Sequence, residues 1–330
     1  MKIGLTYDLR THIPPGLPED YQAEFDSEQT VVELSQVIAG LGHSVHPIGN
    51  LFDLVRFLLD GQKVDLVFNI AEGSGGRSRE AQVPALLEAY QIPYTFSDPL
   101  TLALTLDKAV TKLIWQRYNL PTLRFIMASS MEALNQAQDD LPAFPLFVKP
   151  LHEGSSKGIS RESVVEDWAA LEDRVALILS AYRQPALIEA FLPGREFTVA
   201  VLGEGDQARV MGIAEIMEIQ IARVSGYIEK EHWDTLYPDT FQPVPPGTLY
   251  DLLSAIAMEA YRSVGCRDAG RIDLRMDAGG SPYLLEINPL PGLNRKHSAL
   301  PHIAQQAGMS YEQLIGNILA LACARSALGR

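Results

Sequence analysis

The first 100 residues alternate short apolar strands with helical segments, and this order constrains the fold more than any other feature. "KIGLTY" (2–7) and "DLVFNI" (65–70) read as buried strands. "SEQTVVELSQVIAGLG" (27–42) sets Val31, Leu34, Ile38 and Leu41 at helical spacing, and Gly42 reads as its stop. Asp26 and Gln29 are the expected capping pair of that helix. A second helix is expected over "REAQVPALLEAY" (79–90), after a Gly/Ser/Arg loop. A βαβα order of this kind buries its apolar faces as a parallel sheet flanked by helices.

The rest of the chain changes character. A helix at "LDKAVTKLIWQRY" (106–118), a strand around 121–128, the strand "FPLFVKP" (144–150) and a helix near 164–181 make a mixed middle part. From 185 onward strands dominate, in "PALIEAFL", "EFTVAVLG" and "ARVMGIAEIM". Helices near 249–264 and 311–325 bracket a hairpin, and the polar stretch 225–247 reads as a long loop of the kind that serves as a lid. With 330 residues and 47% hydrophobic composition, two or three packed domains are expected. The boundaries fall at 1–100, 101–184 and 185–330.

A net charge of −14 argues against nucleic acid as the main partner. Cys266 and Cys323 fit no zinc spacing and suggest a reducing compartment. No apolar leader and no run of about 18 apolar residues is present. A cytoplasmic protein that neither enters nor crosses a membrane is the expectation.

The hairpin carries the sharpest chemistry. Its strands are "GRIDLRMD" (270–277) and "YLLEIN" (283–288), joined by the turn "AGGS". Alternation puts Arg271, Asp273 and Arg275 on one face, and Glu286 and Asn288 on one face. If the two faces coincide, three oxygen ligands converge beside guanidiniums. That set suits Mg²⁺ with a phosphate-bearing ligand, although a solvated hairpin edge laced with ion pairs has the same pattern.

Three further stretches are ambiguous alone. "FVKPLHEGSSKGIS" (147–160) delivers Lys149 from a strand into a loop with Ser155 and Ser156, which reads as an anion cradle or as a Gly/Ser hairpin turn. Lys108 falls in the first turn of a helix, an unfavourable end for a cation. In isolation it reads as an exposed surface lysine. "ALIEAFLPGREF" (186–197) is a purine-binding edge or a hairpin in a sheet core.

Taken in order, "FNIAEG", "IPYTFSDPLTLALTLDK", "FPLFVKPLHEGSSKGIS", "LIEAFLPGREF", "GRIDLR" and "LLEINPLPGLNRKHSALPHIAQQAGMSYEQLI" resemble the ATP-grasp superfamily, and within it the D-alanine–D-alanine ligase family. The resemblance is strongest from about 65 to 322. It implies an α/β and α+β multidomain protein with an ATP-grasp fold behind an N-terminal, Rossmann-like parallel-sheet domain. Lys108, Lys149, Ser156 and Lys230 would contact ATP phosphates. Glu189, Phe191 and Leu192 would hold the adenine, and Glu196 the ribose. Asp273, Glu286 and Asn288 would bind two Mg²⁺ ions, with Mn²⁺ as a substitute. Arg271 and Gly292 would stabilise the tetrahedral intermediate, Ser155 would join the closing network, and Gly292 and Ser298 would face the acceptor's carboxylate. The implied activity is ligation of two amino-acid-like substrates through an acylphosphate, in a homodimer. Authentic D-alanine–D-alanine ligation, and ATP binding or carboxylate phosphorylation without ligation, are the alternatives.

The match breaks at the amino-acid site. The family's N-terminal Gly-Gly, Ser and ammonium-binding Glu are replaced by "YDLRTHIPPGLPEDYQAEFDSEQT", so Glu28 or Asp26 is expected to serve. Glu72 stands where the family has a histidine, and Arg77 and Arg79 replace an acidic loop. Those arginines are expected to meet an acidic substrate group, unless they belong to a solvated loop. Glu231 replaces a lid tyrosine, and Arg295, Lys296 and His297 crowd the approach to Ser298.

Overall fold

In a computed structural model of the chain, residues 1–13, 15–217 and 240–326 are described. Lys230, Glu231 and most of the proposed lid loop lie outside them.

Three sheets organise the described residues. The N-terminal one is parallel, in the order β2-β1-β3, from β1 (Lys2–Thr6), β2 (Ser44–Gly49) and β3 (Leu66–Asn69). The helices α1 (Glu28–Gly40), α2 (Leu51–Leu59) and α3 (Gln82–Ala89) alternate with its strands, as the sequence order requires. The cap of α1 differs from expectation. Ser27, not Asp26, accepts from the backbone N–H of Thr30 at 3.2 Å. A serine hydroxyl one residue before the helix reaches that donor directly.

The second sheet is antiparallel, in the order β4-β7-β5-β6, from β4 (Phe125–Ala128), β5 (Leu146–Pro150), β6 (Val164–Val165) and β7 (Ala186–Ala190). Because β7 pairs with both β4 and β5, this sheet runs past residue 184. Helix Trp168–Leu177 covers one face around Leu146, Val148, Leu171 and Val175. The third sheet, also antiparallel, is ordered β10-β9-β8-β11-β12, from β8 (Glu196–Leu202), β9 (Arg209–Ile216), β10 (Phe241–Pro243), β11 (Ala269–Met276) and β12 (Pro282–Asn288). Helix Thr248–Ser263 packs on one face of it with Trp115 and Tyr261. The largest core runs from Ile3, Leu5 and Phe68 of the parallel sheet through α1 to Ala200, Ala269 and the helices Ala299–Gln306 and Tyr311–Arg325. The first and third sheets therefore share one apolar interior.

Two further helices, α4 (Pro99–Leu106) and α5 (Lys108–Arg117), bridge the sheets. Asp107 separates them and caps α5, accepting from the N–H of Val110 at 3.1 Å. No described helix is long and apolar enough to cross a membrane.

Candidate active site

The sheets meet around a cavity of about 650 Å³. The hairpin of β11 and β12 supplies its floor. Asp273 lies directly across the ladder from Glu286, and Arg271 from Asn288, so the two faces predicted from alternation are one face. A register shift after Asp273 leaves Leu285 as the extra residue of β12. Arg271 donates to both Asp273 oxygens, from Nε at 3.0 Å and Nη2 at 2.9 Å. Asn288 Nδ2 donates to Asp273 Oδ2 at 3.1 Å. That bond leaves Asn288 Oδ1 as the amide's only atom able to ligate a hard cation. Asp273, Glu286 and Asn288 thus fit a magnesium-type donor set. Burial works against the charge on Arg271, but Asp273, with Glu286 and Glu196, overcomes it and raises its pKa.

Lys108 is no surface lysine. It is 6% exposed, its Nζ stands 3.4 Å from Glu286 Oε2, and it donates to the carbonyl of Glu153. Lys149, at the end of β5, enters the same cavity and pairs with Glu189 Oε2 at 3.4 Å. Glu189 stands behind Lys149 and does not line the cavity. Its other oxygen meets Lys112 at 2.6 Å, and all three side chains are buried. Burial alone would raise the Glu189 pKa; Lys112 and Lys149 overcome that and lower it. Sequence reasoning misses Lys112, although its spacing from Lys108 puts both on one side of α5.

Phe191 and Glu196 line one end of the cavity. Glu196 accepts from Arg275 at 2.9 Å, and the Arg275 guanidinium lies 5.4 Å from the centroid of the Phe191 ring. The backbone N–H of Phe191 donates to the Pro145 carbonyl at 3.0 Å. Leu192 lies on the wall of a second cavity, of about 560 Å³, which shares Phe191 and Arg275 with the first. Gly292 and Ser298 are brought together at the other end. A Cβ at Gly292 would sit 2.8 Å from Ser298 Oγ. Lys296 and His297 also reach the cavity, whereas Arg295 pairs with Glu312 at 3.1 Å.

The loop after β5 holds Ser155 and Ser156 in left-handed backbone, φ +48° and +59°. Gly158, at φ +71°, has no room for a Cβ, which would run into the Pro150 ring. The N-terminal segment grips this loop. Glu24 Oε1 accepts from the N–H of Gly154 at 2.7 Å, and Asp20 Oδ2 from that of Gly158 at 2.6 Å. Asp20 also accepts from Tyr182 Oη at 3.0 Å, and Lys157 stands over the Tyr21 ring at 5.2 Å.

The amino-acid end differs from expectation. Glu28 is exposed at the start of α1 and does not line the cavity, whereas Glu24 and Asp26 do. Arg77 pairs with Asp107 at 2.7 Å, and its side chain is 68% exposed. Arg79 is buried on Glu24 at 2.6 Å and donates to the His152 carbonyl at 2.7 Å. Neither arginine lines the cavity, so this wall presents Glu24, Glu72 and Glu80 instead of cations. Glu24 and Glu80 carry no sequence signal beyond being acidic residues in the N-terminal part.

Residues 114–320 match a family described as D-ala D-ala ligase C-terminus. The uncharacterized protein y4sG of Sinorhizobium fredii is 38% identical over 78% of this chain and 74% of its own. A D-alanine–D-alanine ligase of Xanthomonas axonopodis pv. citri is 34% identical over 84% of each. Among solved structures, the D-alanine–D-alanine ligase of Bacillus anthracis complexed with ATP superposes with a TM-score of 0.76 over the whole of both chains, at 22% identity. That likeness bears on the fold.

Proposed function

The chain belongs to the D-alanine–D-alanine ligase family of ATP-grasp proteins, and from that premise we propose that it is an ATP-dependent carboxylate–amine ligase joining two amino-acid-like substrates through an acylphosphate. The observation that carries this reading is the cluster of Arg271, Asp273, Glu286, Asn288 and Lys108 on one cavity floor. A plain nucleotide binder has no need of a guanidinium beside its carboxylate ligands.

Lys149 and the Ser155–Ser156 turn receive the phosphate chain of ATP, and Lys108, held by Glu286, takes up charge on the transferred group. A donor carboxylate oxygen bonds to the γ-phosphorus, and the bond from that phosphorus to the β-phosphate oxygen breaks, which releases ADP. The acceptor's amine nitrogen then bonds to the acyl carbon and loses a proton. The oxyanion that forms faces Arg271, and phosphate leaves as the carbonyl returns. Asp273, Glu286 and Asn288 would hold two Mg²⁺ ions, with Mn²⁺ as a substitute; these neutralise phosphoryl oxygens when bound. Glu196 and Phe191 hold ribose and adenine. The acceptor's carboxylate sits against Gly292 and Ser298. Phe52 and Leu59, 67% and 76% exposed on α2, support a homodimer through the N-terminal part.

Ligation of two D-alanines by the same residues is the reading the relatives' names suggest; the carboxylates of Glu24, Glu72 and Glu80 argue for another donor. The test incubates the pure protein with Mg-ATP and pools of D-amino acids, L-amino acids and amino-acid-like acids, following phosphate and new masses together. A product equal to two components minus water, appearing with phosphate, is expected. No phosphate from any pool, with ATP still bound, sinks the ligase reading.

A further inference from the structure

The carboxylates of Glu24, Glu72 and Glu80 converge on one corner of the cavity, with oxygen atoms within 4.8 Å of one another. They arrive from the N-terminal segment, the turn after β3 and the turn before α3. Glu24 is fully engaged, by Arg79 and by the N–H of Gly154. Glu80 is different. It is 7% exposed, it lines the cavity, and its side chain makes no hydrogen bond or ion pair within hydrogen-bonding range among the described residues. The cations that face it, Arg79 and Lys108, are bound elsewhere, to Glu24 and Glu153 and to Glu286. A buried carboxylate without a donor is costly, and this one lines the substrate cavity.

The charge count defines what fits. With all three ionised, these carboxylates against the guanidinium of Arg79 would leave two negative charges, while Glu153 is balanced by Lys157 at 3.0 Å. A divalent metal is a poor match, because Arg79 already presents a positive charge inside the group. Organic ammonium groups match better, each bringing three donors for carboxylate oxygens. We propose that this corner recognises a second amino group, so that the carboxyl donor is a diamino acid. The inference rests on the ligase reading and refines it. Burial pushes Glu80 up to about 7 and raises Glu72 as well, a shift that an ammonium seated between them would oppose.

The experiment compares ornithine and 2,3-diaminopropionate with norvaline and 2-aminobutyrate, in both enantiomers, as donors. Phosphate release is followed with Mg-ATP and a mixed pool of amine acceptors, for the wild type and for E80Q. The diamino donors are expected to show a KM at least about tenfold lower, the yield of one good charge-assisted contact. In E80Q the two donor classes are expected to fall within about twofold of each other. Equal KM values in the wild type, or a shift of both classes alike in E80Q, overturn the inference. Titration calorimetry of the same compounds without nucleotide separates the two readings. Heat from the diamino acids alone supports the corner even where no phosphate is released, and then it is the ligase reading that falls. No difference between the classes in heat or in turnover overturns the corner. Binding of Mn²⁺ alone, lost in E80Q, overturns it in favour of a metal.

Discussion

The backbone N–H of Gly154 donates to Glu24 Oε1 at 2.7 Å, across 130 residues of chain. One carboxylate therefore touches both the loop that would cradle phosphates and the corner that would receive the donor. Asp20 repeats the contact at Gly158 but reaches no further than Tyr182. The two acidic residues grip one loop and differ in what else they hold.

That difference is testable by substitution. Asp20→Ala leaves the Gly158 N–H and the Tyr182 hydroxyl without their acceptor, at a cost of about 1–3 kcal/mol in stability. Its KM for ATP should rise several-fold while the KM for the donor stays put. Glu24→Gln should raise both, since it also frees Arg79. Initial-rate kinetics with each substrate varied in turn read this out. Equal effects of the two variants on both constants would remove the distinction.

Glu189 sits between two buried ammoniums, and the two ends are not equivalent. Lys112→Met leaves Glu189 paired with Lys149 and should cost about 3 kcal/mol, the low end for breaking a buried pair. Glu189→Gln strands both lysines and should cost more, on the order of 4–5 kcal/mol. Urea unfolding of the two variants decides. A smaller loss in Glu189→Gln would mean that Lys149 is satisfied from the cavity side.

Asn288 turns its Nδ2 to Asp273 and so keeps Oδ1 for a cation. Asn288→Ala removes that ligand and the brace on Asp273 together. The Mg²⁺ concentration needed for half-maximal nucleotide binding should rise about tenfold, the loss of one good contact. Fluorescent-nucleotide titrations over a Mg²⁺ series measure it. An unchanged Mg²⁺ requirement would place the ions elsewhere.

The floor of the site is legible in the sequence because strand alternation is a local rule. Arg271, Asp273, Glu286 and Asn288 share a face whatever surrounds them. The parallel N-terminal sheet is legible for another local reason, the alternation of apolar strand runs with helical segments. Lys108 in isolation reads the wrong way, because a cation at a helix start is unfavourable until Glu286 and the Glu153 carbonyl are brought to it. At the amino-acid end, Asp26 and Glu72 are legible as cavity residues, but the fate of the two arginines is not. Whether Arg79 faces a substrate depends on where Glu24 docks, and that docking is decided by contacts 55 residues away in sequence. Two arginines in a loop promise an anion site; folding spends them on Glu24 and Asp107 and leaves the cavity wall acidic.

The acidic wall should give the protein an unusual pH dependence. Burial pushes Glu80 from 4.5 and Asp26 from 3.8 up to about 7 in each case. Arg79 and Lys108 oppose this at Glu80, and Glu24 and Glu153 add to it; at Asp26, Arg10 opposes and Asp8 adds. A carboxyl that holds its proton more tightly when folded stabilises the fold fully below its unfolded pKa. That contribution is lost as pH rises through the folded pKa. Stability should therefore fall between about pH 4.5 and 7.5, where ordinary carboxylates would make it rise. Glu80→Gln keeps a neutral group beside Glu24 and Glu72 at every pH. It should flatten the decline and exceed the wild type at pH 8 by on the order of 3 kcal/mol, since each tenfold change in proton affinity is worth about 1.4 kcal/mol. Urea unfolding at half-unit steps from pH 5 to 8 provides the comparison. A wild-type stability that climbs through this range, or a Glu80→Gln variant weaker than wild type at pH 8, would show that Glu80 is ionised and satisfied in the folded protein.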